Sequence, residues 1–106
     1  MITNIEKRIK EFAFNNKISF KKHALIRIVE RNISIEEIEG VLKDCKIIEE
    51  YPEDKPQKSY LVLGFTTFSR PLHIVVAIDE NIDYLLIITA YQPNKKKWDK
   101  SFSRRI

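Results

Sequence analysis

Residues 59–91 read SYLVLGFTTFSRPLHIVVAIDENIDYLLIITAY, and this stretch decides the fold. Three runs rich in β-branched and aromatic residues stand out in it: Ser59–Thr67, Leu72–Asp79 and Tyr84–Tyr91. Each has strand length and strand composition. Ser69-Arg70-Pro71 separates the first two runs, and Glu80-Asn81-Ile82-Asp83 separates the last two. Connections this short leave no room for a crossover helix, so the runs pair antiparallel as a meander. Working backwards, Lys46–Tyr51 is a further short strand, followed by the loop Pro52-Glu53-Asp54-Lys55-Pro56.

Upstream the period changes to that of helices. Ile2, Ile5, Ile9 and Phe12 recur at helical spacing, and Thr3 with Glu6 has the pattern of a capping box. Asn15-Asn16-Lys17 ends that helix. Ser19 is a natural N-cap for a second helix from about Phe20 to Arg31. Ser34 with Glu37 caps a third, whose Ile38, Val41, Leu42 and Cys45 face one way; Asn32 and Ile33 form the tight corner between the two. The expected architecture is an α+β single domain over residues 1–106. Its N-terminal helices lie on one face of a four-stranded antiparallel sheet.

The second helix holds the most informative side chains. His23, Arg27 and Arg31 are spaced four apart and share one stripe, while Ala24 and Ile28, with Leu25, turn into the core. A histidine beside two fork-shaped cations combines a proton-transfer group with anion binders, which suits a phosphate-bearing substrate. On the stripe alone the commoner reading is structural, with Arg27 and Arg31 pairing with Glu30, Glu36 or Glu37 and His23 on the surface. In the strand from Leu72, His73 shares a face with Val75 and Ala77, opposite Leu72, Ile74, Val76 and Ile78. With helices on the latter face, His73 points to the open one. Tyr91 alternates with Thr89, Ile87 and Leu85, and its face depends on the register.

Composition narrows the function classes. The chain has 106 residues, a net charge of +4, two glycines and one cysteine. One cysteine excludes an internal disulfide framework, and two distant histidines give no metal-ligand spacing. Gly40 and Gly64 are isolated, so there is no glycine-rich phosphate loop. Cys45 reads as a small core residue. Neither a metal nor a cofactor is expected. No apolar run reaches the roughly 18–20 residues of a membrane span, and no leader is apparent, which makes the cytoplasm the expected compartment. The abundance of Ile, Lys and Asn points to an AT-rich prokaryotic genome. Six of the 19 Lys and Arg residues, against one of the 15 acids, fall between Lys95 and Ile106. Lys95, Lys96 and Lys97 run into Trp98, a pattern that would hold nucleic-acid phosphates and stack a base. Trp98 would equally fold its tail back onto the sheet.

Three segments together resemble a known family: ISFKKHALIRIVERNISIEEIEGVL (18–42), LHIVVAI (72–78) and LLIITAYQPNKKKW (85–98). The family is one of small prokaryotic domains of unknown function, usually compared with RelE/ParE-type toxins of toxin–antitoxin pairs. The resemblance covers about residues 18–100 and rests mainly on the H-A-x-x-R-x-x-E-R-x-I-S stretch and the T-x-Y-x-P close. It implies a RelE/ParE-like fold, an antitoxin partner, and functional positions at His23, Arg27, Arg31, His73, Thr89, Tyr91 and Pro93. The chain departs from RelE-like enzymes in having no evident strand before its helices. Two activities follow as expectations. One is a metal-independent ribonuclease with His23 as base or acid, Arg27 and Arg31 on the phosphate, and Tyr91 or His73 as second proton-transfer group. The other is a non-catalytic module, ParE-like, that binds a protein or nucleic acid through the same stripe.

Overall fold

A computed structural model describes residues 4–106. Helix α1 (Asn4–Phe14) is followed by strand β1 (Ile18–Phe20), helices α2 (Lys22–Glu30) and α3 (Ile35–Leu42), and strands β2 (Lys46–Tyr51), β3 (Ser59–Phe65), β4 (Pro71–Asp79) and β5 (Tyr84–Tyr91). The sheet has five strands in the order β1-β5-β4-β3-β2. The run from β2 to β5 is the expected antiparallel meander. The expected four-stranded antiparallel sheet is corrected by β1, which pairs parallel with β5 through Ile18, Ser19 and Phe20 opposite Leu85, Leu86 and Ile87.

That fifth strand also corrects the start of α2. Ser19 lies within β1 and is not a cap; Lys21 occupies the N-cap position in an extended conformation without a side-chain cap. The backbone at Lys17 and Lys21 is drawn straight because β5 offers it hydrogen bonds: Leu85 N–H donates to the Lys17 carbonyl at 2.9 Å and Lys21 N–H to the Ile87 carbonyl at 3.0 Å. A sheet edge with unpaired groups outweighs the weak local pull of one serine. The cap assigned to Thr3 with Glu6 lies outside the described residues at Thr3; the Glu6 carboxylate accepts from the Ile47 N–H of β2 at 2.8 Å. The Ser34–Glu37 capping box forms in both directions, at 3.0 Å each. Asn32 turns the corner with φ of 57°.

The helices pack on one face of the sheet. Ile9, Phe12, Ala24, Ile28, Ile38, Val41 and Leu42 join Leu72, Ile74, Val76, Leu85 and Ile87 in a single core. Cys45 lies in it, its thiol pushed up to about 12 by burial. Leu25, expected in this core, is instead exposed. Gly64 is needed where α3 crosses β3: a Cβ there would meet Val41 Cγ1 at 2.6 Å.

A register shift between Val75 and Val76 separates the two ends of β5. Leu85 and Ile87 face the helices, whereas Thr89 and Tyr91 lie opposite Val75 and His73 on the other face. The simple alternation linking Tyr91 to Ile87 and Leu85 is therefore broken by a bulge, which moves one residue out of step.

Candidate recognition surface

The second sheet face, expected to be open, is covered. Leu61, Leu63 and Ala77 are buried there, and the C-terminal segment 93–106 lies on this face at His73 and Glu49. Trp98 anchors that segment at 4% exposure, its ring edge-on to His73 at 4.4 Å between centroids. Arg105 lies over the same indole, 4.7 Å from its centroid. The Arg105 guanidinium grips the Glu49 carboxylate with two hydrogen bonds of 2.9 and 3.2 Å, and this contact holds Glu49 below the usual carboxylate range. Tyr51 Oη donates to Glu49 as well, at 2.5 Å. Arg105 thus covers a face of the Trp98 indole, and His73 meets the ring in an edge-to-face contact.

His73 is fully buried by this cover. Its Nε2 lies 2.7 Å from the Phe102 carbonyl, which only accepts, so Nε2 carries the proton. Nδ1 is then a bare acceptor, and the Tyr91 hydroxyl stands 3.4 Å from it. Burial pushes the histidine down, partly opposed by the Phe102 carbonyl and Glu49; burial also pushes the Tyr91 phenol up. The pair is a neutral, closed arrangement that holds the C-terminal segment on the sheet.

The stripe on α2 has a different environment. His23 is exposed, and Arg27 makes a surface pair with Glu30 at 3.3 Å. Arg31 reaches the sheet: its Nη1 donates to the Ala90 carbonyl at 2.8 Å and to Thr89 Oγ1 at 3.3 Å. Because β1 covers β5 only at residues 85–87, the next edge carbonyl needs a donor, and Arg31 supplies it. His73 and Tyr91 are brought together, but His23 lies in the helical layer, whereas His73 faces away from it under the C-terminal segment. The lysines Lys95, Lys96 and Lys97 are exposed on that segment.

Arg70 escaped the sequence reading, which treated it as part of a separator. Its Nε donates to Gln92 Oε1 at 2.8 Å, Nη1 to the Asn32 carbonyl at 2.8 Å, and Nη2 to the Arg31 carbonyl at 3.2 Å. Nη1 also lies 3.4 Å from Glu37 Oε1. One side chain so ties the β3–β4 hairpin to the α2–α3 corner and the end of β5. The unsatisfied carbonyls at the end of α2 are what draw a cation there. Only the fold brings residue 70 to that helix end, so no local signal marks it.

What α2 presents outward is apolar as well as basic. Val29 is 77% exposed, and Ile26 and Leu25 are exposed beside it. Lys22, Leu25, Ile26 and Val29 fall on one stripe by helical spacing, flanked by His23 and Arg27. Among the described residues no group of three or more His, Cys, Asp or Glu is placed to hold a metal ion, and no helix is long and apolar enough to cross a membrane.

The fold and surface define a small α+β domain with a mixed five-stranded sheet and an exposed basic–apolar helix. Its residues 20–92, from the end of β1 to just past β5, match the model of a domain of unknown function (DUF4258), and the chain belongs to that family. The match includes His23, Arg27, Arg31, His73 and Tyr91; α1 and the C-terminal segment fall outside it. No curated protein and no solved structure matches the chain.

Proposed function

We propose that this domain is the toxin-like member of a two-protein pair and acts by recognition, with the outer face of α2 engaging its partner. The observation that carries the reading is Val29, 77% exposed on a helix whose other outward positions include Ile26, Lys22, His23 and Arg27. Apolar surface framed by cations fits an acidic segment studded with apolar side chains, as an antitoxin would offer. The chain order from β1 onward supports the likeness to RelE/ParE-type toxins. A strand precedes the α2–α3 pair and the meander, although α1 still comes before it.

Recognition is favoured over ribonuclease chemistry by the state of the candidate groups. Cleavage by a 2′-hydroxyl needs a base and an acid around one phosphate. His73 has no exposed surface, and its ring nitrogens face Phe102 and Tyr91. His23 has an open position but no second proton-transfer group assigned beside it.

The test is co-expression with an antitoxin candidate, a small acidic protein encoded beside this chain. Wild type is expected to co-purify with it, and Val29→Glu to weaken the complex at least tenfold, about 1.4 kcal/mol, while the fold is kept. Binding untouched by Val29→Glu would overturn the proposed surface. RNA cleaved in EDTA by wild type but not by His23→Ala would restore the ribonuclease reading.

A further inference from the structure

A second surface lies on the other side of α3, where a groove of about 540 Å³ separates that helix from the β3–β4 hairpin. Val41 and Gly40 contribute from the α3 side and Phe65 and Phe68 from the hairpin. Phe68 is 93% exposed and Phe65 is half out of the fold. Nothing lies within 4 Å of where a Cβ on Gly40 would stand, so this side of the groove is unfilled. Its charges are all of one sign: Glu36, Glu37 and Asp44 line it, and no lysine or arginine does. Glu37 is already engaged by its capping box and by Arg70, which leaves Glu36 and Asp44 as the outward carboxylates.

The matching surface is carried by the same chain. The outer stripe of α2 offers Ile26 and Val29 as apolar anchors beside Lys22 and Arg27, the latter paired with Glu30, and so matches a groove with Phe65 and Phe68 beside Glu36 and Asp44. Within one molecule the two cannot meet, because Ala24 and Ile28 hold the inner side of α2 in the core and the outer side faces away. We infer that the groove of one copy receives α2 of a second copy. The two patches differ, so the contact is head-to-tail, and an assembly that does not close into a ring keeps one patch unfilled at each end. Part of the attraction is between exposed charges and falls with salt, the screening length shortening from about 10 Å at 0.1 M to about 3 Å at 1 M.

This inference goes beyond the proposed function but shares its α2 surface, so a helix seated in a second copy's groove is closed to the partner; only the groove side, with Phe68, is independent of that reading. Sedimentation of the full chain tests it through two variants, Phe68→Lys in the groove and Val29→Glu on the helix. Both positions are exposed, and circular dichroism checks that the fold persists. Wild type is expected to gain mass with concentration at low salt and to return towards monomer at high salt. Each variant alone is expected to stay monomeric. An equimolar mixture of the two is expected to form a one-to-one dimer, because the Phe68→Lys chain keeps its helix and the Val29→Glu chain keeps its groove. A monomeric wild type at every concentration, self-association untouched by either variant, or a mixture that stays monomeric would each overturn the inference. Partner binding retained by Phe68→Lys and lost by Val29→Glu would separate this contact from the proposed function.

Discussion

Residues 22–31 and residues 95–106 look alike as sequence, each setting lysines and arginines among large apolar side chains. In the fold they part company. The C-terminal segment buries Trp98, half-buries Phe102 and keeps Lys95, Lys96 and Lys97 outside, so its largest apolar side chain is spent on the sheet while Ile106 stays in solvent. The helix buries Ala24 and Ile28 and leaves Ile26 and Val29 in solvent with its cations. The reason is what lies beneath each. The second sheet face presents Leu61, Leu63, His73 and Ala77, all buried, and segment 93–106 is docked on it through Trp98 and Phe102 at His73 and Arg105 at Glu49. The helix-side core is already closed by α1, α2 and α3, so the outer side of α2 has nothing left in its own chain to cover. A mixed basic–apolar segment is thus a structural clamp or a recognition surface according to whether a bare apolar face waits for it.

The largest way to break this contrast is to remove the clamp. Trp98→Ala is expected to cost about 3–5 kcal/mol, the range for a buried large aromatic. Denaturant unfolding measures it, and a loss below about 1 kcal/mol, within the range of ordinary substitutions, would mean that Trp98 does not anchor the segment. On the helix side, Gly64→Ala is expected to cost about 1–3 kcal/mol by overpacking against Val41, in the same assay.

Acidification gives a smaller and more specific effect. Burial holds His73 below its ordinary value of 6.5, so the unfolded chain takes up the proton more readily than the folded one. Stability from the neutral ring is complete above about 6.5 and is lost as pH falls through that value towards the folded one. The charged groups acting on the ring are Glu49, which resists the shift, and Arg105, which adds to it. Trp98 is the only tryptophan, so its fluorescence reports the clamp directly. The melting temperature of wild type is expected to fall between pH 8 and pH 5 more steeply than that of His73→Gln. Equal slopes would contradict the buried, neutral histidine.

Arg105→Ala should cost only about 0.2–1 kcal/mol, because the guanidinium is largely exposed and its pairing with Glu49 is screened. Val29→Ser should change stability by less than about 0.5 kcal/mol, as expected of an exposed position. The contrast is sharpest if that near-neutral substitution still weakens partner binding.

Much of the fold was legible because its signals are local. The three long strands were marked by unbroken apolar runs with short separators, and α3 by the Ser34–Glu37 box. Strand β1 was not legible, since three residues carry almost no periodicity and its partner lies beyond residue 84. The bulge at Ile88, opposite the Val75–Val76 step, was equally silent: it arises from pairing between strands, yet it decides that Tyr91 meets His73 rather than the helix core. Of the candidate site, the helical stripe was visible in the spacing of His23, Arg27 and Arg31. That Arg31 caps a sheet edge, that Arg70 ties three elements, and that Leu25 and Val29 face solvent all follow from tertiary placement. The basic tail was read from charge, but its tryptophan answers to the sheet beneath it.

The measurement that bears most directly on the recognition surface is a binding titration of that antitoxin candidate against wild type, Val29→Glu and Lys96→Glu. The account predicts at least a tenfold loss of affinity for Val29→Glu and near-wild-type affinity for Lys96→Glu. Loss with Lys96→Glu and none with Val29→Glu would contradict it and move the recognition surface to the C-terminal segment.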